Sequence, residues 1–526
     1  MLTSFEKKKI ANDKNKQEIR KINDEKFEIT SENGNYSVET YKAMISQLPI
    51  KISMLSQEIT VEQMFEIIAF FRLLIKFSEI PKEMKNDSFM LSVLAQVQRY
   101  QNDELFSKFV MFINEFYEIV FCPPPSQLID FVINLIFNVQ LPLQGLQQTI
   151  IKNLLIFISS IYNYLDDKMI NTNSFYSKLI IFFNLSPEFN STLTYLFTSL
   201  ICNISSGEVL SNFVTIISFI YQNVVPYTTP TVHENEDSLR VIMNIVSIVS
   251  GFALCDKKLG KGYFKQHAEN IILPLYDFWG LSNDINANLV DLLETVSRTT
   301  VSMFKDPNQA ELQMTFIKII DSCLSKGGSQ IILSSLMAST DYTTESLLLL
   351  KQLIQINFTR QTSFLFKDQC KFFPIFYRVL YYCLEGRISE RCAAGCCLSK
   401  IIRIYPNFML QYLMCNTEVC SYLSLNLADI SDISDLAFIN LISDLLTLEN
   451  EKLERTLIKA LFVIAKRFYD MDKMHEFREE CALYSIQEKV NAITENSKNI
   501  KTYNVGNDFN LTAFGVLPFS EVDVPY

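Results

Sequence analysis

Cys392, Cys396 and Cys397 fall within one turn of the helix-period stretch "CAAGCCLSKII", so Cys392 and Cys396 share a face. Thiolates in that pattern could begin a zinc site. The metal needs about four N or S ligands converging as a tetrahedron, however, and no histidine stands near them in the sequence. Their apolar neighbours make them core side chains instead. The three histidines, His233, His267 and His475, are far apart and sit among polar residues, which places them at the surface. "CDKKLGKGYFK" (255–265) sets two glycines among lysines, a composition suited to phosphate. It lacks the G-x4-G-K-[ST] spacing whose backbone N–H groups cradle phosphate ahead of a helix, and reads as a turn between helices. Neither G-x-S-x-G nor H-E-x-x-H occurs, and no Cys–His pair is close in sequence. The expectation is a protein that is not an enzyme, with no cofactor and no metal.

The elements that carry these residues follow from bulk properties. A chain of 526 residues exceeds what one compact core supports, which leaves several domains or one elongated repeat array. Hydrophobic residues make up 48% and charged residues 20%, with only 13 Gly and 15 Pro, too apolar for disorder and too poor in turn residues for an all-β protein. Helices should dominate. Twelve cysteines without a CxxC pair point to reduced thiols and a reducing compartment. Apolar runs such as "LIDFVINLIFNV" and "FVTIISFIYQNVV" fall short of the roughly 18–20 residues of a bilayer span and contain Asp, Asn or Gln, so no membrane segment or signal peptide is expected.

From Tyr36 to about Asn496 an apolar helix-period run, a polar break and another run recur at the roughly 40–47-residue period of HEAT and armadillo units. Unit starts are expected near Ser37, Pro81, Pro123, Asp167, Glu208, Asp256, Asp306, Arg360, Pro406 and Glu449, about ten units. The breaks have local causes. "CPPPSQ" (122–127) cannot continue a helix because its prolines lack the N–H and clash with the preceding turn. "VVPYTTPTVHENEDS" (224–238) is a longer loop of the same kind, and Asp306 ahead of "AELQMTFIKII" is an N-cap signal. The fold class is therefore all-α, an armadillo/HEAT-type α-solenoid with a right-handed superhelix of about ten repeats. Three regions are expected: a basic arm over 1–34, the array over 35–495, and a loosely ordered tail over 496–526.

Charge separates arm from body. Residues 1–30 hold eight basic residues (Lys7, Lys8, Lys9, Lys14, Lys16, Arg20, Lys21, Lys26) against six acids, a balance of +2, so the remainder sums to −13 within a total of −11. An acidic body does not suit nucleic acid phosphates. The acid runs "HENEDS" (233–238) and "ADISDISD" (428–435) are either carboxylates lining a groove for a basic ligand or solvated helix caps.

A basic arm, about ten armadillo-like units and a polar tail together resemble importin-α, the nuclear-import adaptor family. The closest local match is "SLICNISSG" (199–207), which keeps Asn203, Ile204 and Gly207 of the family's W-x-L-S-N-I-x-x-G helix; "LLETVSRTT" (292–300) and "CAAGCCLSKIIRIYP" (392–406) echo it. The resemblance implies an adaptor of the cytoplasm and nucleus. Its arm would bind an importin-β-type receptor, with Lys7–Lys9 as the cluster that competes for the groove, and its groove would hold a basic peptide or protein cargo. The family grips cargo with Trp indoles that sandwich Lys and Arg stems and Asn amides that bond the peptide backbone. Here the Trp positions become Ser199, Met243, Asp291, Leu348 and Cys396, and the Asn positions Asn203, Ser247, Thr295, Gln352 and Lys400. The single Trp, Trp279, falls at the end of a second helix, off that ladder. The alternative is an armadillo scaffold without import function.

Overall fold

The computed structural model describes residues 38–519 other than 78–79, 121, 140–142, 144, 166–171, 186, 202, 230–234, 305, 361–368, 405–435 and 516–518. The basic arm and the acid run at 428–435 therefore lie outside the described residues. Among the described residues there is no strand, and the chain is an all-α helical array. Helix starts follow sequence chemistry. Thr60 and Gln63 form a reciprocal capping box (Gln63 N to Thr60 Oγ1 3.3 Å, Thr60 N to Gln63 Oε1 2.8 Å), and Asn102, Ser206, Ser282 and Asn450 each accept from a backbone N–H of the first turn that follows.

The chain divides into two compact units, Met1–Ile271 and Ile272–Tyr526. Unit 1 is built from helix pairs: α1 (Val38–Met54) with α2 (Val61–Leu74), α3 (Asp87–Tyr100) with α4 (Asp103–Ile119), α5 (Ser126–Asn138) with α6 (Leu146–Ile161), α7 (Asn173–Phe183) with α8 (Asn190–Ile201), and α9 (Gly207–Asn223) with α10 (Glu236–Leu259). Each even-numbered helix packs on the next, α2–α4–α6–α8–α10, as a ladder row flanked by the odd-numbered helices. The reason is burial: Phe71 meets Phe89 of the flanking row at 4.9 Å and Phe112 of the next ladder helix at 6.0 Å. α10 is long and apolar enough to cross a bilayer, but 67% of its apolar window is buried, because it packs against α8 and α9. α11 (Tyr263–Ile272) closes the unit.

Unit 2 repeats the plan. Its ladder row is α12 (Asn283–Met303), α15 (Thr343–Arg360), α17 (Ile388–Ile404), α19 (Glu451–Asp470) and α22 (Ile500–Ala513). The flanking helices are α13 (Ala310–Cys323), α14 (Ser329–Ala338), α16 (Gln369–Glu385), α18 (Ala437–Leu446), α20 (Met474–Leu483) and α21 (Ile486–Asn496). Two expectations are corrected here. Glu449 opens no unit, since α19 is the second helix of the pair begun by α18. The tail is not loosely ordered over 500–513: α22 packs on α19 and α21, capped by Asn499, with Phe509 fully buried. Gly506 permits that contact, because a Cβ there would stand 2.1 Å from Thr494 Oγ1.

Candidate functional site

The site is built by α15, α17 and α19 of unit 2. α17 is "ISERCAAGCCLSKIIRI", and its small residues let a neighbour approach closely: a Cβ on Gly395 would lie 2.8 Å from Leu453 Cδ1 of α19. Ser399 Oγ donates to the Thr456 carbonyl at 2.6 Å, and Arg467 Nη2 to the Ile402 carbonyl at 2.5 Å, so α17 and α19 are locked side by side. The residues that remain on the open side are cationic. Lys400 and Arg403 of α17, Lys452, Arg455 and Lys459 of α19, and Lys351 of α15 line one cavity of 260 Å³, together with Val301, Gln352, Gln355 and Thr456. No Asp or Glu is among these lining residues.

Burial and the crowding of like charges change the lysines. Burial, then Arg403, Lys351 and Lys459, push the Lys400 ammonium down to about 7. Burial and then Lys351 lower Lys452 as well, against raising contributions from Cys396 and then Glu294. Glu294 of α12 is 7% exposed and already engaged: it accepts from Gln352 Nε2 at 3.2 Å and faces Arg298 Nη2 at 3.5 Å. The wall therefore presents an excess of positive charge, fit to bind an anion. A lysine lowered this far can act as an amine nucleophile, but the lining offers no carboxyl group to serve as a proton donor beside it.

The sequence-derived candidates divide between the units. In unit 1, Ser199 on α8 and Met243 and Ser247 on α10 are partly exposed on adjacent ladder helices, which Thr198 Oγ1 joins by donating to the Asn244 carbonyl at 3.2 Å. The hydroxyls of Ser199 and Ser247 turn back onto the Tyr195 and Met243 carbonyls of their own helices. Asn203 is off the ladder: α8 ends at Ile201, and Asn203 sits in the turn beyond, its N–H bonded to the Leu200 carbonyl at 3.0 Å. In unit 2, Asp291, Thr295, Leu348 and Gln352 are partly exposed on α12 and α15, Cys396 is buried, and only Gln352 and Lys400 reach the cavity. Sequence reading passed over Lys351, Arg403, Lys452, Arg455 and Lys459. The i, i+3, i+7 stripe Lys452, Arg455, Lys459 was the available signal.

Other sequence features resolve structurally. Gly260 and Gly262 take φ of 64° and 80°, and the Asp256 carboxylate accepts from Tyr263 N (3.0 Å) and Phe264 N (3.1 Å), so the N–H groups that a phosphate would need are occupied. Trp279 ends a 3-10 turn (Leu273–Phe278), its ring 5.3 Å from that of Tyr276. Cys392, Cys396 and Cys397 are buried, and burial raises the Cys392 and Cys397 thiols. Glu236 and Asp237, the described acids of the run at 233–238, pair with Arg240 on α10.

No protein-family model matches the sequence, and no curated protein matches it. Among solved structures, an engineered protein aligns over 87% of this chain and 96% of its own at 11% identity and a TM-score of 0.46. A crystal structure of Kap121p bound to Nup53p aligns over 90% and 51% at 11% identity and a TM-score of 0.33. Kap121p bound to the SUMO protease Ulp1p aligns over 90% and 55% at 11% identity and a TM-score of 0.31. The chain spans about half the length of those Kap121p chains. At these scores the likeness is one of stacked helices and assigns no function.

Proposed function

We propose that this chain is a non-enzymatic helical-repeat adaptor that holds protein partners along its ladder rows, and that unit 2 accepts an acidic segment of such a partner. The observation that carries the proposal is the cavity between α15, α17 and α19, whose walls bear six cations and no carboxylate. A partner segment with Asp, Glu or another anion relieves that mutual repulsion, and a basic one adds to it. Fluorescence anisotropy of a labelled Glu-rich peptide against the full chain tests the reading. Binding should be lost in the Lys400→Gln, Lys452→Gln double variant.

The import-adaptor reading is a finer proposal. It is favoured by Ser199, Met243 and Ser247 in unit 1 and Asp291, Thr295 and Gln352 in unit 2, which lie partly exposed on ladder helices where the resemblance expects a peptide. The cations of unit 2 oppose its basic cargo there. Its other half is an arm, residues 1–34, that engages an importin-β-type receptor through Lys7, Lys8, Lys9, Lys14, Lys16, Arg20, Lys21 and Lys26. Removing residues 1–34 should abolish association with importin-β if the reading is right, and an unchanged association would reject it.

A further inference from the structure

We infer that the unit 2 cavity takes a phosphorylated side chain of a partner protein, so that the partner is held in its phosphorylated form and released without it. The inference rests on the anion-binding reading above and names the anion. Its first support is valence. Six cations from three helices face one cavity; a carboxylate brings one charge and two oxygens to them, whereas a phosphate ester brings about −1.5 to −2 and three acceptor oxygens. The second is donor chemistry. Two of the lining cations, Arg403 and Arg455, carry guanidinium groups, the planar fork of N–H donors suited to phosphate oxygens, and the four lysines add point charges. The third is size. A cavity of 260 Å³ lies below the roughly 300–1,000 Å³ of sites that enclose whole small molecules, and suits the head of a side chain presented by a peptide.

Lys400 adds a linked signature. Burial and the facing Arg403, Lys351 and Lys459 leave its ammonium at about 7, so near neutral pH a fraction of the molecules lack that proton. The groups facing its neighbour Lys452 are Lys351, Cys396, Glu294 and Arg298; of these Cys396 and Glu294 counter the two cations, and Glu294 is engaged by Gln352 and Arg298. A dianion entering the cavity restores the Lys400 proton, and binding takes up part of a proton at pH 7.

The test uses the full chain and a short labelled peptide carrying two phosphoserines, with its unphosphorylated and Glu-substituted counterparts, at roughly 150 mM salt. The phosphopeptide should bind at least about tenfold more tightly than the Glu version, with net proton uptake when titrated calorimetrically in buffers of different ionisation enthalpy. Lys400→Gln and Lys452→Gln should each weaken it about tenfold, while Lys257→Gln with Lys258→Gln, exposed on α10, should leave it unchanged. Circular dichroism of each variant establishes that it is folded, and Arg455→Gln gives an independent lesion in the same wall. Equal affinity for the Glu peptide overturns the phosphate inference and leaves the anion reading standing. Binding of neither peptide overturns both. Affinity that ignores the cavity variants, or saturable binding of inositol hexakisphosphate there without the phosphopeptide, also overturns the inference.

Discussion

Gln352 of α15 donates its side-chain N–H to the Glu294 carboxylate of α12 at 3.2 Å, and Arg298, one turn along α12, faces the same carboxylate at 3.5 Å. The amide that stands at a ladder Asn position is thus bonded to an acid of its own array. That acid also acts on the cavity beyond it, where it raises the Lys452 ammonium.

Glu294→Gln should separate these roles. Arg298 loses its ionic partner, and Lys452 loses one of the two contributions, Cys396 and Glu294, that raise it. Because Arg298 is partly exposed, the expected loss of stability is modest, about 1–2 kcal/mol by urea denaturation. Affinity for an acidic peptide should rise. A variant as stable as the parent with unchanged affinity would contradict the assignment of Glu294.

Lys400 gives a pH dependence with a definite sign. Its folded-state ammonium sits near 7, below the roughly 10.4 of an unfolded lysine, so the unfolded chain binds more protons between those values and stability rises with pH across that window. Below about pH 7 both states are protonated and the full cost is present; above the unfolded value it vanishes. Lys452 is shifted in the same direction. The urea midpoint should increase from pH 7 to pH 9, and Lys400→Met should be more stable than the parent at pH 7, by about 1–3 kcal/mol once partial exposure is allowed for, with a flatter profile. A stability loss in Lys400→Met would mean that the lysine is satisfied by a partner.

Gly395 sets the spacing of α17 against its neighbours. A Cβ there would stand 2.8 Å from Leu453 Cδ1 and 3.1 Å from Leu445 Cδ1, side chains that are 0% exposed and have little room to yield. Gly395→Val should therefore cost about 1–3 kcal/mol through overpacking, despite the better helix propensity of the new residue, and should weaken anion binding by shifting Lys400 away from the α19 cations. Chemical denaturation and peptide titration on one preparation measure both effects.

Helix starts were legible where prolines and caps punctuate the chain: the expected starts near Pro81, Pro123, Glu208 and Asp306 each fall within a few residues of the first residue of a helix, whereas Asp256 lies inside α10. α22 was not, because the residues it buries include Thr502, Gly506, Thr512 and Ala513 beside Phe509, and such small or polar side chains leave no apolar period to read. Its fit comes from Thr494 meeting a glycine. For the site, the spacings of Lys400 with Arg403 and of Lys452, Arg455 and Lys459 were visible in the sequence. That both sets face one cavity depends on α17 lying against α19, a tertiary fact carried by Gly395 and Ser399.

Phe509 measures how far α22 belongs to unit 2. It is fully buried and packs near Phe462, Phe477 and Phe514 at 6.1, 6.4 and 5.7 Å. Phe509→Ala should cost about 3–5 kcal/mol, and removal of residues 497–526 should destabilise α19. A truncated chain with the parent's denaturation curve would return the segment to the status of a tail.

The central claim is that unit 2 presents an anion site where the importin-α resemblance would put a basic peptide. It is tested most directly by titrating the full chain with two peptides of equal length and opposite charge, one Glu-rich and one Lys-rich, at low and physiological salt. The account predicts that the Glu-rich peptide binds, that salt weakens it, and that the Lys400→Gln, Lys452→Gln double variant abolishes it. Binding of the Lys-rich peptide to that same cavity, lost in the same variant while the Glu-rich peptide stays free, would contradict it.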